Sequence, residues 1–171
     1  MKATPAICIL LILSMLLPLT ACAPSAPLPC DAVLSAMLAF AESHPAGKIY
    51  RSSAAAGDED YLSEALSRSL YGVALTAEGG IADFSIYLSR TEAPFELAVL
   101  RCHSASKAAE IAALCHERIE LLRHYFHGKD EEDTIALSRV LICGNTVLMV
   151  VSTDADKLLT EAKRAIKGRA K

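Results

Sequence analysis

The chain has 171 residues, 17 Lys+Arg against 20 Asp+Glu for a formal net charge of −3, five percent aromatics and no Trp. That length predicts one ordinary domain and argues against a two-domain enzyme. The slightly acidic balance, with no Lys/Arg cluster interleaved with aromatics, excludes nucleic acid as a partner. Hydrophobic residues reach 53%, but much of the excess lies in the first twenty positions, and 22% of the chain is charged. The remainder reads as a globular domain.

Met1-Lys2 supplies a positive charge, and an apolar stretch from Ala6 to Leu19 follows, broken by Ser14 and Pro18. It is too short to span a bilayer comfortably and has the form of a secretory signal. It ends in Leu19-Thr20-Ala21-Cys22, similar to the lipobox of bacterial lipoproteins, in which small residues before a Cys permit cleavage and the thiol takes a diacylglycerol. Residues 1–21 are therefore expected to be a signal peptide and Cys22 the lipidation site. Two or three acyl chains anchor a protein stably where one binds only marginally, so the protein is expected to be lipid-anchored on the outer side of the cytoplasmic membrane or in the outer membrane. Residues 22–30 then form the lipidated Cys and a Pro-rich tether, Ala23-Pro24-Ser25-Ala26-Pro27-Leu28-Pro29. At about 3.1 Å per residue in an extended conformation, the tether reaches roughly 20 Å from the lipid. Residues 31–171 are expected to be a single α+β domain.

In that domain Asp31 can cap a helix carrying Val33, Leu34, Met37, Leu38 and Ala41, which His44-Pro45-Ala46-Gly47 brings to an end. A second helix is predicted from Asp58-Glu59-Asp60 through Leu62, Leu66 and Leu70 to Gly72. From Ile81 the period becomes two: Ala82, Phe84, Ile86 and Leu88 alternate with Asp83, Ser85, Tyr87 and Ser89, the pattern of a half-buried strand. Thr91 to Pro94 turns the chain into an antiparallel partner, Phe95 to Cys102. A long helix from Ser104 to about His127 places Ile111, Cys115, Ile119, Leu122 and Phe126 on one side, and an acidic loop from Gly128 to Asp133 follows. Ile135 to Cys143 and Thr146 to Ser152 read as a hairpin around Gly144-Asn145. A last helix from Asp154 carries Leu158, Leu159, Ala162 and Ile166 and ends in Lys and Arg. Two N-terminal helices followed by a repeated strand-strand-helix order predict an antiparallel sheet of about four strands with helices on one face.

Leu70-Tyr71-Gly72, Ala82-Asp83-Phe84-Ser85-Ile86-Tyr87, Glu96-Leu97-Ala98-Val99-Leu100 and Val147-Leu148-Met149-Val150-Val151-Ser152 before Asp154 resemble a family of small bacterial lipoproteins, mostly from Gram-positive, clostridial-type anaerobes. That family is characterised only as a domain of unknown function. The resemblance runs from about Asp31 into the last helix. It implies a location and a fold, and supplies no activity and no catalytic residues.

Chemistry-bearing patterns are sparse. Ser104-Ala105-Ser106-Lys107 has the S-x-x-K spacing of penicillin-recognising acyl enzymes, but S-D-N and K-T-G are both missing from the chain, and Ser104 reads as a helix N-cap. His116, Glu120, His124 and His127 recur at four, four and three residues, within a sector of about 80° of one helix. They are the candidate metal ligands, on a face where solvated polar residues are expected in any case. Cys102-His103 and Cys115-His116 include no C-x-x-C pair, and Asp130-Glu131-Glu132-Asp133 lacks the alternation and central Gly of an EF-hand loop. The basic C-terminal run complements a helix dipole and could touch anionic lipid. With Cys8 in the signal and Cys22 acylated, Cys30, Cys102, Cys115 and Cys143 remain either as buried thiols or as disulfides. No cofactor is implied. The function expected is a non-enzymatic domain that binds an envelope protein or wall component, the alternative being a metal- or small-ligand-capturing lipoprotein beside a transporter. Oligomeric state is not readable from the chain.

Overall fold

The computed structural model describes residues 27–168 apart from residue 42, so the expected signal and lipidation site Cys22 lie outside the described residues. In chain order the elements are α1 (Cys30–Phe40), β1 (Gly47–Arg51), α2 (Glu64–Tyr71), β2 (Ile81–Ser89), β3 (Glu96–Cys102), α3 (Ala105–Phe126), α4 (Glu132–Ala136), β4 (Arg139–Cys143), β5 (Thr146–Val151) and α5 (Ala155–Lys167). The strands form one antiparallel sheet in the order β1-β2-β3-β5-β4.

The sheet and its helical cover differ from the sequence expectation. The sheet has five strands, because Gly47-Lys48-Ile49-Tyr50-Arg51, directly after the Pro45 stop, pairs with β2 from Gly47↔Ser89 to Arg51↔Ser85. The first two helices therefore flank a strand. Helices also cover both faces of the sheet. Ile86, Ala98, Leu100, Val147 and Met149 pack beneath α2, α3 and α4 with Tyr71, Ile111, Cys115 and Ile135. Leu97, Val99, Leu148 and Val150 pack on the other side against Val33, Leu34 and Met37 of α1 and Leu158, Leu159 and Ala162 of α5. Every residue of β5 is consequently buried, as in strands covered on both sides, and the alternation along β2 is overridden at Ser85 and Tyr87.

Local chemistry explains the element boundaries. The Ser63 side chain accepts from the Leu66 N–H at 3.2 Å, so α2 begins at Glu64 and not at Asp58. Asp58 instead accepts from the Ala55 N–H in a preceding turn. α2 stops at Gly72, whose φ of 74° suits a residue without Cβ. The strand expected from Ile135 begins only at Arg139, because residues 132–136 form α4 and bury Ile135. Asp31 is not the cap of α1; it lies in the first turn and pairs with Arg51 at 2.7 Å.

The start of α1 is clamped to the sheet. Asp83, at an irregularity in the β2–β3 register, accepts the Cys30 N–H at 2.8 Å and the Ser52 hydroxyl at 2.6 Å. Arg101 of β3 donates to the Leu28 carbonyl and lies 3.6 Å from Asp83. Burial alone would raise the Asp83 carboxyl, but the Cys30 amide, the Ser52 hydroxyl and Arg101 together hold it below its ordinary value. Leu28 and Cys30 are therefore held on the α1/α5 side, at the end of the sheet where β2 starts and β3 finishes.

Candidate functional site

The opposite end of the sheet carries a buried polar cluster. Glu96 opens β3 on the same face as Ala98 and Leu100 and is only 4% exposed. One carboxylate oxygen accepts the Tyr71 hydroxyl at 2.7 Å, and the other accepts Nε and Nη2 of Arg118 at 3.2 and 3.0 Å. Tyr71 comes from the end of α2 and Arg118 from the middle of α3, so the cluster ties both helices to the sheet. Burial pushes the Tyr71 phenol well above its ordinary value, and the neighbouring Glu96 charge adds to that shift.

Arg118 also lines a pocket of about 250 Å³ between the β2–β3 connection and the second half of α3, with Leu70, Leu88, Pro94, Leu122 and Phe126. Thr91, Glu92 and Phe126 continue it into a wider cleft of about 640 Å³ bounded by Arg90, Tyr125 and Lys129. The Tyr125 ring is 67% exposed, stands edge-on to Phe126 at 5.0 Å, and carries the Lys129 ammonium 3.7 Å from its centroid. The groove thus has an apolar floor, a buried ion pair at its inner end, and an aromatic ring and mixed charges at its mouth. Such a surface can seat a ligand by stacking and hydrogen bonding.

The residues singled out from sequence fall elsewhere. His116, Glu120 and His124 are exposed on α3, as their spacing predicts, and His127, also exposed, follows directly at the C-cap. Glu120 is paired with Arg123, and His127 Nδ1 lies 2.9 Å from Glu132 of α4. Among the described residues no group of three or more His, Cys, Asp or Glu side chains is placed to hold a metal ion. Glu132 also accepts the Gly128 N–H at 2.9 Å, and that bond, followed by His127, holds its carboxyl below the usual value. Glu132 thereby ties the start of α4 to the end of α3. Ser104 is the N-cap of α3, accepting the Lys107 N–H at 3.1 Å, while Lys107 Nζ donates to Glu110 at 2.9 Å. The S-x-x-K pair is occupied in helix capping and a surface ion pair.

Cys30, Cys102, Cys115 and Cys143 are all free thiols, the first three buried. Burial, with Asp83 behind it, pushes the Cys30 thiol up to about 12, and burial likewise raises Cys102 and Cys115. In residues 23–171, which contain only these four cysteines, Cys143 is expected to react with a maleimide in the native state. The other three should react only on unfolding, read by mass spectrometry with and without denaturant; prompt labelling of Cys30 or Cys115 would contradict their burial.

Sequence reasoning missed the Tyr71–Glu96–Arg118 cluster. The available signal was an acidic residue leading an otherwise apolar strand, Glu96-Leu97-Ala98-Val99-Leu100, an anomaly that calls for a buried partner. Which cation answers it depends on the packing of α3. Compared with family models, with curated proteins and with solved structures, the chain finds no match.

Proposed function

We propose that this protein is a lipid-anchored extracytoplasmic domain, held to the membrane through Cys22, that binds an envelope protein or wall component in the groove between the β2–β3 connection and α3. The observation that carries this reading is the opposition of tether and groove. Leu28 and Cys30 are clamped by Arg101 and Asp83 on the α1/α5 side at one end of the sheet. The groove opens on the α2/α3 side at the other end, beside Glu96 and Val151. Strands of this length separate the two ends by roughly 20 Å, so an anchored domain leaves the groove free of its own tether. The resemblance to small lipoproteins of Gram-positive anaerobes is part of the same proposal and agrees with the anchor. Metal capture is the weaker alternative, since two of its candidate ligands, Glu120 and His127, are engaged by Arg123 and Glu132.

The experiment is a pulldown from cross-linked native membranes with the full chain, a Cys22→Ala variant and a Tyr125→Ala variant. The exposed Tyr125 ring can be removed without opening the core. One envelope component is expected with the wild type, lost with Tyr125→Ala, while Cys22→Ala should move the protein out of the membrane fraction. Unchanged recovery with Tyr125→Ala would remove the groove from the proposal, and membrane retention of Cys22→Ala would remove the anchor.

A further inference from the structure

The two edges of the sheet are finished differently. On β1 a loop contacts the end of the outer side and charge lines the strand: the Arg51 N–H donates to the Asp60 carbonyl at 3.0 Å, Arg51 pairs with Asp31 and Asp60, and Lys48 lies over the Tyr50 ring. Charge and a covering loop are the usual protection of an edge strand. β4, the other edge, reads Arg139-Val140-Leu141-Ile142-Cys143 and pairs only with β5. Among the described residues no hydrogen bond outside that ladder reaches Val140, Leu141 or Ile142. Ile142 is 43% exposed, and the single charge on the strand, Arg139, is turned to Asp156 at 3.4 Å within the same chain.

We propose that β4 pairs antiparallel with β4 of a second copy about a two-fold axis through Leu141, joining two five-stranded sheets into one of ten. A row of free backbone donors and acceptors is answered best by another extended strand, and the sequence of β4 matches itself in this register. Pairing centred on Leu141 sets Val140 opposite Ile142 of the second copy. Both lie on the α2/α3 face, so an exposed apolar side chain meets a half-buried one. Leu141 meets its own counterpart on the α1/α5 face. The two Arg139 residues fall at opposite ends of the paired strands, so like charges stay apart. A one-residue slip would place side chains of opposite faces across from one another.

The position of the tether points to a second copy as the occupant. A two-fold axis perpendicular to the sheet reverses strand direction and preserves its faces, so both α1/α5 layers lie on the same side. Each tether leaves from that layer, at the Leu28–Cys30 clamp. Two anchors can therefore enter one membrane, where confinement raises the effective concentration that a short pairing needs. This last step rests on the proposed anchor; the pairing itself does not.

Residues 23–171 contain every described element of the fold and test the pairing without the anchor. Sedimentation equilibrium up to the solubility limit is expected to show a monomer–dimer equilibrium, shifted several-fold toward monomer by Ile142→Lys, a change at an exposed position. Leu141→Cys is expected to cross-link copies under mild oxidation, since directly opposed Cα atoms lie about 4.5–5.5 Å apart, within disulfide reach. Ile142→Cys in the same register brings its copies no closer than about 8 Å and is expected to cross-link several-fold less. Monomer at every concentration, equal cross-linking of the two cysteine variants, or a dimer indifferent to Ile142→Lys would each overturn the proposal, whatever becomes of the anchor at Cys22. Circular dichroism of each variant shows that the sheet is intact when the reading is taken.

Discussion

Replacing Arg118 by Met is expected to destabilise the domain by about 3–5 kcal/mol, the usual cost of removing one partner from a buried ion pair. The cost arises at Glu96, which is 4% exposed and keeps only the Tyr71 hydroxyl once the guanidinium is gone. A carboxylate in that position has exchanged water for two specific partners, and the loss of the charged one leaves its desolvation uncompensated. The triple change Tyr71→Phe, Glu96→Leu, Arg118→Met should recover most of the loss, because an apolar replacement of the whole cluster leaves no group unpaired. Urea unfolding of the single and triple variants gives both numbers. A single-variant loss below about 1 kcal/mol would show that water reaches Glu96 and that the cluster does not hold α2 and α3 to the sheet. The same pair lines the inner end of the groove, so the triple variant also separates shape from charge in ligand binding.

Gly47→Ala is expected to cost about 2–3 kcal/mol, toward the upper end for overpacking, and to lower Tm by roughly 5–10 °C. Gly47 begins β1 with the Tyr87 ring directly over it. A Cβ there would stand 2.5 Å from the Tyr87 hydroxyl oxygen and 2.6 Å from the Leu88 carbonyl oxygen. The ring cannot swing away, because its hydroxyl donates to the Pro45 carbonyl and it stands edge-on to His44 at 5.2 Å and to Phe95 at 5.7 Å. The carbonyl belongs to the β2 backbone and yields less readily than a side-chain tip. Tyr87→Leu should be non-additive with Gly47→Ala, since the shorter side chain vacates part of the space; a strictly additive pair would mean that the Leu88 carbonyl alone sets the cost.

Several elements were legible because their information is local. The alternation from Ile81, the Gly144-Asn145 turn, Ser104 before the long helix and Asp154 before the last one correspond to β2, the β4–β5 hairpin, the α3 cap and the start of α5. Each is specified by residues within a few positions of one another, where periodicity and turn chemistry act directly. The helix expected from Asp58 failed on the same scale: three acids suit a helix start, but Asp58 closes a turn and the Ser63 hydroxyl, five residues on, makes the cap. The strand Gly47–Arg51 was missed because five residues holding a Gly, a Lys and an Arg show no alternation, and only pairing with β2 makes them a strand.

The sequence by itself determined the antiparallel α+β character, the strong hairpin and the amphipathic helices, all readable from period and short motifs. The tertiary structure alone decided that helices cover both faces, because burying Leu97 and Val99 as well as Ala98 and Leu100 requires a second helical layer from segments far away in the chain. It alone decided that Glu96 meets Tyr71 and Arg118, residues 25 and 22 positions distant, and that His127 spends its nitrogen on Glu132. Pattern along the chain records which faces must leave water. Which faces then meet, and which charges they enclose, is settled by how the layers close over one another.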